Sequence, residues 1–156
     1  MSAEAKLVIF LKQNPDLLDR DEVNLGQIIE IGDKHDINST KLYGQIYPDN
    51  PAHPAYLMDL YVAPEDRKKG IGSSLLAEFE LGALNAGHKF AIGIFAPYDT
   101  GFRTGHRNNK NQITKAVVRK FYKNHGYKFI AIESYWDEHK QIHIPSKTII
   151  YKYLSG

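Results

Sequence analysis

Residues 55–87 read AYLMDLYVAPEDRKKGIGSSLLAEFELGALNAG. The first eight, Ala55 to Val62, are rich in aromatic and branched residues, which suit a pleated, half-buried strand. Pro64 cannot donate to a sheet ladder, so the strand is predicted to stop before it. A basic turn follows, Arg67-Lys68-Lys69-Gly70-Ile71-Gly72-Ser73. Beyond it Ile71, Leu75, Leu76, Phe79 and Ala83 fall near one face of a helix, and Gly87 stands where a left-handed cap would end it. A basic, glycine-punctuated turn opening a helix is suited to an anion. Free backbone N–H groups and the positive end of the helix dipole meet there. Gly70 and Gly72 carry no side chain, so a phosphate is expected to approach the backbone closely at both.

Two phosphate loops do not fit. The loop of nucleotide hydrolases requires Gly-Lys-Ser or Gly-Lys-Thr, and neither occurs here. The dinucleotide fingerprint requires a third glycine where this chain has Leu75, and an acid at the end of the next strand, where Lys89 to Phe95 has none. What remains is R-x-x-G-x-G, preceded by L-Y-V-x-P and followed by x-x-L-L. This pattern resembles the acyl-CoA-binding motif of the GNAT superfamily of N-acetyltransferases. A second block, Phe121-Tyr122-Lys-Asn-His-Gly126-Tyr127, resembles the F-Y-x-x-x-G-[FY] segment of that family. Ile113, Val117 and Phe121 form one helical stripe ahead of Gly126. The wording Leu57-Met58-Asp59-Leu60-Tyr61-Val62 is similar to the L-E-D-L-x-V strand of the polyamine-type branch, with Met58 in place of the glutamate.

The resemblance implies an α/β fold of the α+β kind: a mixed, mostly antiparallel central sheet with helices on both faces. Its motif strand and the next strand, Lys89 to Phe95, would run parallel and splay apart to admit the pantetheine arm of CoA. It further implies acetyl transfer from acetyl-CoA to a primary amine of a small molecule. A protein N-terminus or lysine as acceptor, or an acyl-CoA-binding module without turnover, are the alternatives.

Roles follow from the same resemblance. Arg67, Lys68, Lys69, Gly70, Ile71, Gly72 and Ser73 would hold the cofactor phosphates. Backbone N–H groups around Leu60, Tyr61 and Val62 would face the acyl oxygen. Lys115 stands near the place of a family asparagine that contacts the cofactor, and as a lysine it could reach a phosphate as a point charge. Tyr122 would lie beside the CoA sulfur, where a phenol can protonate or hydrogen-bond a leaving thiolate. The alternative for it is a core aromatic on an amphipathic helix. Asp59 matches the aspartate of the polyamine-type pattern. It would bind a cationic acceptor or relay its proton, or else serve as a surface carboxylate. Tyr56 occupies the place where other branches keep a glutamate, and could hold a water. Asp99 and Glu133 are further acceptor-side candidates at strand ends. The chemistry needs such groups, because an ordinary amine near pKa 10.4 arrives charged.

The rest of the chain sets bounds. With 156 residues it is read as a single domain over 1–156, long enough to bury a core. There are no cysteines, so disulfides and thiolate chemistry are excluded. No apolar run reaches membrane-spanning length. Met1-Ser-Ala-Glu lacks the basic region of a secretory signal, and the cytoplasm is the expected compartment. Net charge is only +2 but unevenly spread: residues 14–36 are acid-rich, and no acid lies between Asp99 and Glu133. Charge alone does not make that basic stretch a nucleic-acid site, so no nucleic acid and no membrane partner is expected. A homodimer is left open. No metal is expected either: Asp137, His139 and His143 read as polar residues of a connector over Trp136–Lys147, with Trp136 a loop anchor. His53 and His106 read as loop histidines.

At the front end, Ser2 as cap and Pro15 beyond favour a helix over Ala3 to Gln13, although Val8 and Ile9 suit a strand. A shortened front end is expected. Gln27 to Asp33 and Lys41 to Tyr47 read as a hairpin. Pro97 to Lys110 reads as a long loop, and Lys128 to Tyr135 and Thr148 to Leu154 as closing strands.

Overall fold

The computed structural model describes residues 1–19, 26–32, 39–95 and 115–154. The hairpin connection at 34–38, the loop at 97–110, Asp99 and His106 lie outside the described residues.

Helix α1 spans Ala3–Gln13. The Ser2 hydroxyl accepts the Ala5 N–H at 3.1 Å, and Asn14 closes the other end on the Phe10 carbonyl. Strands β1 (Gln27–Ile31) and β2 (Lys41–Ile46) pair antiparallel. β3 covers Ala55–Tyr61, and a short 3-10 turn, Pro64–Asp66, leads into α2 (Ile71–Asn85). β4 (Phe90–Ile94), α3 (Lys115–Asn124), β5 (Lys128–Ile132), β6 (Tyr135–Asp137), β7 (Ile142–Ile144) and β8 (Lys147–Tyr153) complete the chain. The six-stranded sheet has the order β1-β2-β3-β4-β8-β5. Its one parallel pair is β3 with β4.

Two cores sandwich the sheet. On one face α1 buries Leu7 and Leu11 against Tyr47, Tyr56, Ile92, Ile130, Ile149 and Tyr151. Glu4 fastens this helix: it accepts from the Tyr151 hydroxyl at 2.9 Å and pairs with Lys128 at 2.6 Å, and Lys128 holds its carboxyl below the usual range. On the other face α2 buries Leu75, Leu76, Phe79 and Ala83 against Leu42, Leu57, Ala91 and Ile150. The expected apolar face of α2 is therefore the observed one. Gly87 and Gly126 end their helices with φ of +94° and +85°, in the left-handed region where glycine carries no Cβ penalty.

The connector expected over Trp136–Lys147 is instead a small hairpin, β6 with β7. Asp137 shapes its turn, accepting the N–H groups of His139 and Lys140 at 2.9 and 3.1 Å. The aspartate thus works as a local turn residue, which short polar side chains do readily. Among the described residues no helix is long and apolar enough to cross a membrane.

Candidate active site

β3 and β4 touch over three rungs only: Ala55↔Ala91, Tyr56↔Ile92 and Leu57↔Gly93. β3 then continues to Tyr61 beside β2, without β4. The reason lies on its other side. Against β2 the register passes from Gly44↔Leu57 directly to Tyr43↔Asp59, so Met58 is an extra residue, a β-bulge. A bulge bends its strand and increases the local twist. This one follows immediately on the last rung shared with β4. It also explains the packing of Leu57 and Leu60. Three positions apart on a regular strand they would face opposite ways, yet both pack into the core under α2.

The strand end and the basic turn are tied together. The Thr40 hydroxyl accepts the Ala63 N–H at 2.9 Å and donates to Asp66 at 2.5 Å. Arg67 Nε donates to the Val62 carbonyl at 3.0 Å, and burial lowers the pKa of its guanidinium from the ordinary value. Lys68 and Gly70 take positive φ, 64° and 76°. The helix hydrogen bonds begin at Ser74, whose N–H reaches the Gly70 carbonyl. The N–H groups of Ile71, Gly72 and Ser73 therefore have no partner among the described residues.

The two glycines differ, contrary to the expectation of equal roles. A Cβ on Gly70 would meet nothing within 4 Å, so an approaching group has room there. A Cβ on Gly72 would lie 3.2 Å from Val62 and 3.5 Å from Phe121. Gly72 is small because α2 packs closely on the β3 end and on α3. Ser73 turns inward as well: its hydroxyl lies 2.9 Å from His125 Nε2.

Tyr122 projects from α3 into a frame of rings, with centroids of Phe121, Tyr127 and Phe95 at 5.3, 5.5 and 6.4 Å. Burial first, and then the negative charge of Asp59, hold its phenol well above the ordinary range. By register Asp59 shares a face with Tyr43, on the α1 side of the sheet, while α3 packs on the other. The carboxylate and the phenol sense each other where β3 and β4 have parted.

The remaining candidates scatter. Tyr56 is buried in the core beneath α1. Glu133 is exposed just beyond β5. Lys115 opens α3 with its ammonium 6.0 Å from the centre of the Phe95 ring. The Arg119 guanidinium lies over the Phe129 ring, 4.1 Å from its centre. Two elements were not read from the sequence. The bulge at Met58 leaves no local signature. His125 stands four residues after Phe121, a spacing that could have suggested its bond to the Phe121 carbonyl, but its contact with Ser73 spans 52 positions.

A family model for the acetyltransferase (GNAT) domain matches residues 37–129. The chain belongs to the GNAT acetyltransferase family. The GNAT fold is also that of its structural neighbours. An acetyltransferase from Bacillus cereus superposes with a TM-score of 0.50 at 21% identity, covering 97% of this chain and 90% of that one. A GNAT family acetyltransferase from Elizabethkingia anophelis, solved with acetyl-CoA bound, gives 0.50 at 15% identity over 88% of each chain. At these identities the likeness is one of fold. No curated protein sequence matches the chain. Family membership makes this GNAT protein an acyl-CoA-dependent acetyltransferase.

Proposed function

We propose that this GNAT protein moves an acetyl group from acetyl-CoA to the primary amine of a small molecule. The observation that carries the reading is the parting of β3 and β4 beyond Leu57↔Gly93, next to the open turn before α2 and with Tyr122 on the neighbouring helix. The residues present fit the donor. Gly70 leaves open space, and three adjacent amides have no partner among the described residues. The basic turn 67–73 would hold the phosphates by those amides and by Lys68 and Lys69. Lys115 would add charge from the start of α3. Acetyl-CoA supplies the acyl group as a thioester.

The protein's own groups answer the demands of the reaction. Asp59 attracts the incoming ammonium and accepts its proton directly or through water, leaving a neutral nitrogen. Backbone N–H groups of Leu60–Val62 that face the side where β4 has separated polarise the acyl oxygen. A carbon–nitrogen bond forms, the carbon–sulfur bond breaks, and the second proton that the nitrogen gives up passes through water to the departing thiolate. Tyr122 faces the sulfur. With its pKa raised, the phenol keeps its proton throughout the neutral range. A thiol ionises near 8.5, so full transfer from this phenol runs uphill. Tyr122 therefore acts as a hydrogen-bond donor to the departing sulfur. The test is release of free CoA with a panel of amines, including peptides bearing free N-termini and lysines. Turnover confined to small amines supports the reading; turnover confined to peptides would move it to a protein acceptor.

A further inference from the structure

We propose that His125 is a positioning residue for the Ser73 hydroxyl, and that binding of the acyl-CoA pyrophosphate at the first turn of α2 draws a proton onto His125. The proposal rests on the acyl-CoA reading above. His125 Nδ1 lies 2.8 Å from the Phe121 carbonyl oxygen. A carbonyl can only accept, so Nδ1 carries hydrogen. Nε2 lies 2.9 Å from Ser73 Oγ. In the neutral ring Nε2 is bare and accepts. The single hydrogen of Ser73 is then committed to His125. The hydroxyl turns only lone pairs towards whatever meets the amides of Ile71, Gly72 and Ser73.

That arrangement suits an empty turn and opposes an anion. Protonation of His125 reverses it. Both ring nitrogens then donate, and the Ser73 hydrogen is released to point at a phosphate oxygen. The cation stands one hydrogen bond behind the anion, and charge-assisted bonds are the stronger kind. The ring follows the last residue of α3, where the helix dipole also favours a cation. It packs against Phe121 at a tilt of 37°, with centroids 4.5 Å apart. Ser73 on α2 and Phe121 on its own helix are its partners. Among the described residues no carboxylate or ammonium pairs with it. Of the charges on the neighbouring segments, Lys68 and Lys69 are exposed, and Glu80 is taken by Tyr127 and Lys152. A phosphate at the turn is then the new charge that biases the ring, and histidine changes charge within the range where proteins work. Linkage makes the effect reciprocal: acid favours binding as binding favours the proton.

The experiment is calorimetric titration of the full chain with acetyl-CoA between pH 6 and 8, in two buffers of different ionisation enthalpy. The 3′-phosphate of the probe also titrates, so the reading is the difference between wild type and variants, in which its contribution cancels. Relative to Ser73→Ala and His125→Phe, wild type should tighten about threefold more from pH 8 to pH 6. It should also take up more protons on binding. His125→Phe keeps the ring against Phe121; should it not fold, Ser73→Ala decides the matter alone, since it breaks the relay and leaves the imidazole. Equal pH slopes and equal proton uptake in wild type and variants would overturn the proposal while leaving the acyl-CoA reading intact. Absence of acetyl-CoA binding by wild type would overturn both.

Discussion

A Cβ placed on Gly93 would stand 2.8 Å from the carbonyl oxygen of Leu57, at the last rung where β3 and β4 pair. Glycine is what lets the two backbones lie this close before they separate. Gly93→Ala should force the strands apart one rung early, at a cost of about 1–3 kcal/mol, the usual range for overpacking a tight site. Urea unfolding measures the loss, and acetyl-CoA affinity should fall with it. A variant as stable as wild type would mean that the strands yield freely there.

The second prediction concerns Tyr122. Tyr122→Phe keeps the ring in its aromatic frame and deletes the donor. Turnover should fall by about a hundredfold or more, with acetyl-CoA affinity nearly unchanged. Asp59→Asn offers a sign test on the same pair. Burial and the Asp59 charge both raise the phenol, so removing the charge should let Tyr122 ionise at lower pH than in wild type. Ultraviolet titration of the tyrosines would register the change. No change would separate Asp59 from Tyr122.

Much of this was legible in the sequence, for a physical reason. The strand, turn and helix of residues 55–87 are specified by neighbours in the chain, through alternation, Pro64, the glycines and the stripe Leu75–Leu76–Phe79–Ala83. The termini of α1 were legible through Ser2 and Pro15. What escaped depends on distant partners. Gly72 reads like Gly70 until Phe121 is brought against it. The place of Arg119 over Phe129 joins a helix to the strand after it and has no mark in the helix alone. The bulge at Met58 is a matter of register with β2, which one strand cannot disclose. The β6–β7 hairpin was hidden because its strands are only three residues each.

The glycines give a third prediction. Gly70→Asn introduces a side chain into open space at a φ that asparagine tolerates. Gly72→Asn drives one into Val62 and Phe121. Thermal unfolding should barely move for the first and fall clearly for the second. Acetyl-CoA binding should weaken in both, by obstruction in Gly70→Asn and by displaced helices in Gly72→Asn. Equal melting temperatures would contradict the packing role of Gly72.

His88 carries a fourth. It is fully buried, accepting the Tyr47 N–H at Nε2 (2.8 Å) and donating from Nδ1 to the His53 carbonyl (2.7 Å). Burial lowers its pKa from the ordinary value. The unfolded chain therefore takes up this proton near pH 6.5 while the native protein resists it. Stability from His88 is complete above that pH and declines as the pH falls from there towards the lowered native value. In His88→Gln the urea midpoint should be lower at pH 7.5 but fall less between pH 7.5 and pH 5.5 than in wild type. Parallel curves would assign the acid sensitivity to other groups.

The last prediction separates the cations of α3. Lys115, Arg119 and Lys123 lie at four-residue spacing along one helix, and the structure gives them different surroundings. The Lys115 ammonium stands 6.0 Å from the Phe95 ring, and that ring in turn frames Tyr122. On the acyl-CoA reading proposed above, a charge there would attract the cofactor phosphates, an attraction that is long-ranged and weakened by salt. Arg119 stands over the Phe129 ring at 4.1 Å, so its loss is one of packing. Lys123 is exposed in the last turn, at the favourable end of the helix dipole. Lys115→Ala should weaken acetyl-CoA binding and flatten its dependence on salt. Arg119→Ala should lower the melting temperature and leave the salt dependence unchanged. Lys123→Ala should do little to either. Affinity measured across a salt series, with melting curves alongside, distinguishes the three. A salt slope that flattens equally in Lys115→Ala and Lys123→Ala would show a diffuse field along the helix in place of a single placed charge.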